Sequence, residues 1–374
     1  MMRLSLKSKF LFSLLCCAWI CTSTAYAQSE EQLYATGELN LELKSGGETQ
    51  YFAVCLKNAS QDYVAYQVDI VLPPGLQLAT YEGEPDIYIE NTALYPTTRQ
   101  GATYHSLAID VNSNRIRVIC ADINGNRALK ARSGELFLVG VTTSPYLKPE
   151  DVTVELKNVV MSNIEATGPV YETMGLHKVG TAGSTATLTL KVSASNRFST
   201  AILPFGVNEM PAGLEAYSCA EMNGEYLVLQ KQDAMQAFTP YILYAANGYE
   251  GVLTGEVEAS NYQTSATSGY LNGSIVRTEL CGDEGNYVLQ NQGEGPMFYK
   301  VANESFSIPA GKCWLTLPQG AQNVAVFRLP NATAIKSTPS SESKACDVYF
   351  NLSGRQVEEP VKGVYIHKGK KLIK

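Results

Sequence analysis

The sequence predicts an all-β protein: an N-terminal β-sandwich, a second β-rich domain and a short C-terminal β-hairpin unit. Two observations carry this. Alternating or short apolar runs of strand length recur from residue 39 to residue 329, punctuated by Gly, Asn, Pro and Ser. No 15-residue window combines helical periodicity with capping residues.

The first 27 residues read as a processing segment. Arg3, Lys7 and Lys9 form a positive start, Phe10 to Cys21 is apolar, and Ala25-Tyr26-Ala27 is a small-x-small cleavage site. Together they predict a secretory signal peptide cut after Ala27. The apolar run is too short to span a bilayer, and no later stretch approaches about 20 apolar residues, so no transmembrane segment is expected. Ala18-Trp19-Ile20 is a poor lipoprotein box before Cys21. The expected product is secreted, lying outside the cell, on its surface or in the periplasm.

Residues 28–165 form the predicted sandwich. Its strands are read at 39–44, 51–58, 66–73, 106–111, 115–122, 134–143 and 152–162. Residues 166–184 lose the alternation, gain Gly, Pro and Thr, and read as a linker. Residues 185–330 form the second β-rich domain, with strands at 187–193, 199–207, 225–231, 240–246, 286–291, 297–302, 312–318 and 323–329. Asn223-Gly224 and Asn272-Gly273 are expected at type I′ hairpin turns. Residues 331–345 are Ser/Thr/Pro-rich and read as a second linker. Residues 346–374 form the terminal unit, read as two strands.

Charge and cysteines narrow the function. The chain has 29 basic and 36 acidic residues, and losing the leader leaves 26 basic. An acidic surface without Lys/Arg clusters argues against nucleic-acid binding. After cleavage Cys55, Cys120, Cys219, Cys281, Cys313 and Cys346 remain, an even number that permits disulfides in an exported protein. Cys55 and Cys120 sit in apolar strand runs, where buried thiols are preferred over a 55–120 bridge. No cofactor is expected, because neither zinc-spaced Cys/His groups nor a nucleophile elbow occurs.

Three candidate sites follow. Tyr81, Tyr88, Tyr95 and Tyr104 lie in a polar, loop-rich segment and are candidates for an exposed patch whose rings stack on sugars. Asp122, Asn124 and Asn126 share a D-x-N-x-N spacing with the start of a calcium loop. Arg127 and Ser133 stand where such a loop needs Gly and Glu, so a tight turn is preferred. Glu82, Glu84, Asp86 and Glu90 could supply the paired carboxylates of a glycan hydrolase, but solvated charge explains them as well. Of the histidines, His105, His177 and His367 stand in separate contexts, so no catalytic group is assigned.

The segments "YFAVCLKNASQDYVAYQVDIVLPPGLQLAT" and "RIRVICADINGNRALKARSGELFLVGV" resemble the cohesin-like domains of secreted Bacteroidetes proteins, over roughly residues 38–165. The marks are Leu72-Pro73-Pro74-Gly75 and Ser133 to Val139. The resemblance implies a jelly-roll-like sandwich, a fold shared with carbohydrate-binding modules. The region 185–330 looks like a β-rich module near the C-termini of surface proteins from the same bacteria. The end of the chain is similar to short type IX sorting segments at Gly354, Arg355, Gly363, Tyr365, Lys370, Lys371 and Lys374. Taken together, these readings give a secreted, non-catalytic binding or adhesion protein whose partner is a glycan or another cell-surface protein. A secreted glycan-active hydrolase and a structural subunit of a surface assembly are the alternatives.

Overall fold

A computed structural model describes residues 31–90, 93–112, 114–122, 124, 126–302, 305–317 and 326–329, with strand backbone at 349–351, 356–357, 364–367 and 370–373. The leader with Ala25 and Ala27, the linker 331–345, Cys346, Gly354, Arg355, Gly363 and Lys374 lie outside the described residues. The described strands belong to two compact units, within residues 1–335 and 336–374.

In chain order the sandwich strands are β1 Gln32–Thr36, β2 Leu39–Lys44, β3 Gln50–Lys57, β4 Ala65–Val71, β5 Leu76–Leu78, β6 Thr80–Tyr81, β7 Glu84–Pro85, β8 Ile87–Tyr88, β9 His105–Asn112, β10 Arg115–Asp122, β11 Gly134–Thr143, β12 Asp151–Ser162 and β13 Val170–Val192. The second region supplies β14 Phe198–Ile202, β15 Glu215–Asn223, β16 Tyr226–Gln232, β17 Pro240–Tyr244, β18 Tyr249–Glu256, β19 Ser265–Ser268, β20 Leu271–Ser274, β21 Thr278–Leu280, β22 Asn286–Asn291, β23 Pro296–Lys300, β24 Phe306–Ile308, β25 Lys312–Thr316 and β26 Val326–Arg328.

Two sheets make the sandwich. One runs β1-β3-β11-β5 with β8 also on β11; the other runs β18-β13-β12-β4-β10-β9 with β2 parallel to β13. Alternation sends one side of each strand inward. Phe52, Val54, Leu56, Phe137, Val139 and Val141 meet Val68, Ile70, Ile116, Val118, Val154 and Leu156 in one buried core. Leu72-Pro73-Pro74-Gly75 follows β4. Gly75 has φ +88°, and an added Cβ would lie 2.4 Å from the Leu147 backbone. Only glycine suits a turn that is both left-handed and this crowded.

The expected linker at 166–184 is corrected: from residue 170 it is strand. The first part of β13 pairs with β12 and its last eight residues pair with β18 of the second region. Its small residues made it read as a loop, yet they are what crowding by β2 requires. A Cβ on Gly180 would lie 2.4 Å from the Leu39 carbonyl oxygen. One hydrophobic cluster accordingly runs from Leu33 through Phe205 and Phe238 to Cys313.

The second region forms a ten-stranded sheet, β14-β17-β15-β16-β26-β23-β22-β25-β20-β19. It curls back on itself. The Ile202 amide of β14 donates to the Gly311 carbonyl at 3.2 Å, and the Cys313 amide of β25 donates to the Thr200 hydroxyl at 3.0 Å. Two expected turns shift. At β15–β16, Asn223 pairs with Tyr226, and Gly224 alone takes positive φ, +61°, the pattern of a II′ turn rather than I′. Asn272-Gly273 lies inside β20, and the turn falls earlier, at Gly269 with φ +60°. Cys55, Cys120, Cys219 and Cys313 are buried free thiols, and Cys281 is an exposed one.

Among the described residues the second unit holds four short antiparallel strands rather than the expected two. They are β27 Tyr349–Asn351, β28 Gln356–Val357, β29 Val364–His367 and β30 Lys370–Ile373, in the order β28-β27-β29-β30. Tyr365 pairs with Leu372, Ile366 with Lys371 and His367 with Lys370.

Candidate functional site

The four candidate tyrosines do not form one patch. Tyr95 is fully buried, its hydroxyl 2.8 Å from that of Tyr66 and donating to the Leu136 carbonyl at 2.7 Å. It is a core residue, which corrects the expectation of exposure. The half-buried Tyr104 carries the Arg127 guanidinium 3.8 Å above its ring. Tyr81 is 49% exposed on the β6–β7 hairpin. There Glu82 and Gly83 both take positive φ, 52° and 86°, the I′ pattern. Tyr88 alone joins a sheet face.

That face is the outer side of the five-stranded sheet. Residues directly paired across strands share a face. The register therefore builds three rows. Tyr34, Cys55 and Glu135 make the first; Thr36, Ala53, Leu138 and Tyr88 the second; Tyr51 and Gly140 the third. Tyr51 and Tyr88 meet edge to face with centroids 5.7 Å apart. The Tyr51 hydroxyl donates to Asp86 Oδ2 at 2.8 Å. Buried Asp86 in turn packs over Gly140, whose missing Cβ would lie 2.9 Å from Asp86 Cγ and 3.0 Å from Tyr51 Cε1. Cys55, Ala53 and Gly140 thus form a low floor. Tyr34 stands at one end and the Tyr51–Tyr88 corner at the other. Four residues of β3 separate the ends, about 13 Å at about 3.3 Å per residue.

Charge is concentrated at the Tyr34 end. Burial pushes the Glu135 carboxyl above its ordinary range, and the charge of Glu90 adds to the rise. Burial likewise raises the Tyr34 and Cys55 groups. Of the acidic cluster considered from sequence, Asp86 positions Tyr51 and the charge of Glu90 is felt at Glu135, while Glu82 and Glu84 lie on the exposed hairpin.

Asp122 is a turn cap. Its Oδ2 accepts the amides of Asn126 at 3.2 Å and Arg127 at 3.1 Å, and Arg127 Nη1 lies 3.3 Å from Oδ1. Burial would raise its carboxyl, but the amides of Asn126, Asn124 and Arg127 and the Arg127 charge outweigh this and hold it low. Both Asp122 carboxylate oxygens already face donors. Among the described residues no cluster of three His, Cys, Asp or Glu could hold a metal ion. On the opposite sheet, buried Asp69 accepts Arg117 Nε at 2.6 Å, Arg117 Nη2 at 2.7 Å and Asn158 Nδ2 at 2.8 Å. That saturated cluster pins β4, β10 and the β12 bulge.

Tyr34 and Tyr51 were not singled out in the sequence. The available signal was phase: positions 51, 53 and 55 of β3 alternate with the core residues Phe52, Val54 and Leu56.

No protein-family model matches the chain, and no curated protein does. Among solved structures, the chain is similar to a non-cellulosomal cohesin from Archaeoglobus fulgidus, at 18% identity over 41% of this chain and 86% of that one, TM-score 0.26. It is also similar to the seventh ScaB type I cohesin from Pseudobacteroides cellulosolvens, at 11% identity over 40% of this chain and 86% of that one, TM-score 0.27. A third likeness is to a cohesin module of a Clostridium perfringens family 33 glycoside hydrolase, at 13% identity over 40% of this chain and 96% of that one, TM-score 0.27.

Proposed function

We propose that this is a secreted, non-catalytic binding protein of the cell surface that recognises a glycan through the outer face of the β1-β3-β11-β8 sheet. The observation that carries the reading is the placement of Tyr34, Tyr51 and Tyr88 around the floor of Cys55, Ala53 and Gly140. Tyrosine rings offer flat apolar faces to sugar CH groups and keep a polar tip for hydroxyls. A rigid sheet holds them in place without an ordering cost on binding. The test is a glycan array probed with the wild-type chain and with Tyr51→Ala and Tyr88→Ala. Binding that both substitutions weaken supports the reading. Silence of the wild type, or binding indifferent to both substitutions, sinks it.

A hydrolase remains the second reading, because burial, and with it the charge of Glu90, holds the Glu135 carboxyl toward its protonated form. Polysaccharide turnover abolished by Glu135→Gln would establish it. The C-terminal unit is proposed to address the protein, on its similarity to sorting segments. Deleting residues 348–374 should then change where the protein accumulates, and unchanged localisation would make the unit purely structural.

A further inference from the structure

The seven-stranded sheet ends in an open strand. β9 pairs with β10 along all eight of its residues, from His105↔Asp122 to Asn112↔Arg115, and among the described residues no strand lies on its other side. The neighbouring ladder shows which of its backbone groups are free. The Leu72 amide donates to the Asn114 carbonyl at 3.1 Å, and the Asp122 amide donates to the Val64 carbonyl at 3.4 Å. Each residue of an antiparallel strand sends both its groups to one side. Even-numbered residues of β10 therefore bond toward β4 and odd-numbered ones toward β9. Arg115, Arg117, Ile119 and Ala121 thus hold Asn112, Asp110, Ala108 and Ser106. The N–H and C=O groups of Leu107, Ile109 and Val111 point off the edge. The His105 carbonyl, next in that row, already accepts the Thr103 hydroxyl at 2.8 Å. The same three residues form an apolar rim: Leu107 and Ile109 are half-buried against the core, and Val111 is 45% exposed. Open edges are ordinarily blunted by Lys, Pro or a bulge. From His105 to Asn112 there is no Lys, Arg or Pro, and the register with β10 is unbroken. The one carboxylate of the strand, Asp110, is answered by Arg115 at 2.9 Å.

We propose that the occupant of this edge is a second copy of the same chain, its β9 antiparallel to the first about a two-fold axis at Ile109. A two-fold interface must be self-complementary, and this one is. Ile109 faces its own counterpart, and Leu107 faces Val111 of the second copy, so every free N–H and C=O in the row finds a partner. The apolar rim meets only apolar side chains. On the outer face Ala108 meets Asp110 and Ser106 meets Asn112, so no like charges are opposed. Moving the axis to Ala108 would demand the His105 carbonyl that Thr103 holds. A second copy brings the matching free groups and the matching apolar row together, which favours it over an unrelated extended peptide. The pairing does not depend on the glycan reading. It leaves the tyrosine face open, because that face belongs to the other sheet of each sandwich, and presents it twice.

Sedimentation equilibrium of the full chain, from micromolar to millimolar concentration, should show a monomer–dimer equilibrium. Amide exchange at Leu107, Ile109 and Val111 should slow as concentration rises, while Ser106, Ala108 and Asp110, already bonded to β10, change little. Two substitutions at exposed Ala108 test the register. Ala108→Asp sets a carboxylate opposite Asp110 on both sides of the axis and should weaken the dimer about twofold to thirtyfold. Ala108→Lys offers the same Asp110 an opposite charge and should tighten it. A chain that stays monomeric at every concentration would overturn the proposal and leave the edge to a different extended chain. A dimer indifferent to both substitutions would place the interface elsewhere and overturn it equally. Should a variant fail to fold, the concentration dependence of wild-type amide exchange decides the matter.

Discussion

Replacing Gly140 with alanine should disturb the tyrosine face far more than one added carbon ordinarily would. The new Cβ would sit 2.9 Å from Asp86 Cγ and 3.0 Å from Tyr51 Cε1. Carbon atoms pack best at about 3.5–4.0 Å, so both groups must retreat by about 0.5–1 Å. Neither is free to do so, because Asp86 is buried and its carboxylate accepts the Tyr51 hydroxyl at 2.8 Å. Overpacking of this kind costs about 1–3 kcal/mol. The urea midpoint should fall accordingly. Affinity for a bound oligosaccharide should drop about twofold to tenfold, the worth of about 0.5–1.5 kcal/mol of aromatic contact. Tyr51→Phe is the control: it removes the hydroxyl, keeps the ring, and should bind nearly as wild type. A Gly140→Ala protein with wild-type midpoint and wild-type affinity would refute the packing on which the platform rests.

Other outcomes follow from the same geometry. Gly75→Ala should lower stability by about 1–2 kcal/mol from its left-handed backbone alone, and by more from the 2.4 Å approach to Leu147, measured by urea unfolding. Calcium should give no heat and no melting shift, whereas Asp122→Ala should cost about 1–3 kcal/mol by stranding the amides of Asn126 and Arg127. Burial holds the His105 imidazole below its ordinary 6.5, with the Asp122 carboxylate pulling the other way and Arg127 reinforcing the fall. The unfolded chain therefore takes the proton first, so stability from neutral His105 is full above about 6.5 and is lost as pH falls through that value toward the folded one. Wild type should lose more stability than His105→Gln between pH 7.5 and 5, and equal losses would refute this. Limited proteolysis should spare 170–184, since these residues lie in a strand that pairs with β12 up to Thr181 and with β2 from Gly180; rapid cleavage there would restore the linker.

Much of the fold was legible because strands announce themselves by phase. The spans read at 39–44, 115–122, 134–143 and 286–291 coincide with β2, β10, β11 and β22. The first part of β13 was not legible, although its end was read at 187–193, because its Gly, Thr and Ser residues serve close backbone approach rather than burial. The candidate site was half visible. Tyr88 stood out, while Tyr95 misled, since a polar neighbourhood in sequence hid a hydroxyl satisfied inside the core by Tyr66 and Leu136. Tyr88 is set beside Leu138 only by the pairing of β8 with β11, which no local pattern states.

The most direct test of the account is an amide-exchange footprint of the full chain with a saturating oligosaccharide identified on the array. Protection should gather on β1, β3, β8 and β11, around Tyr34, Tyr51 and Tyr88. Protection confined to β4, β9, β10 and β12, with the tyrosine face unchanged, would contradict it.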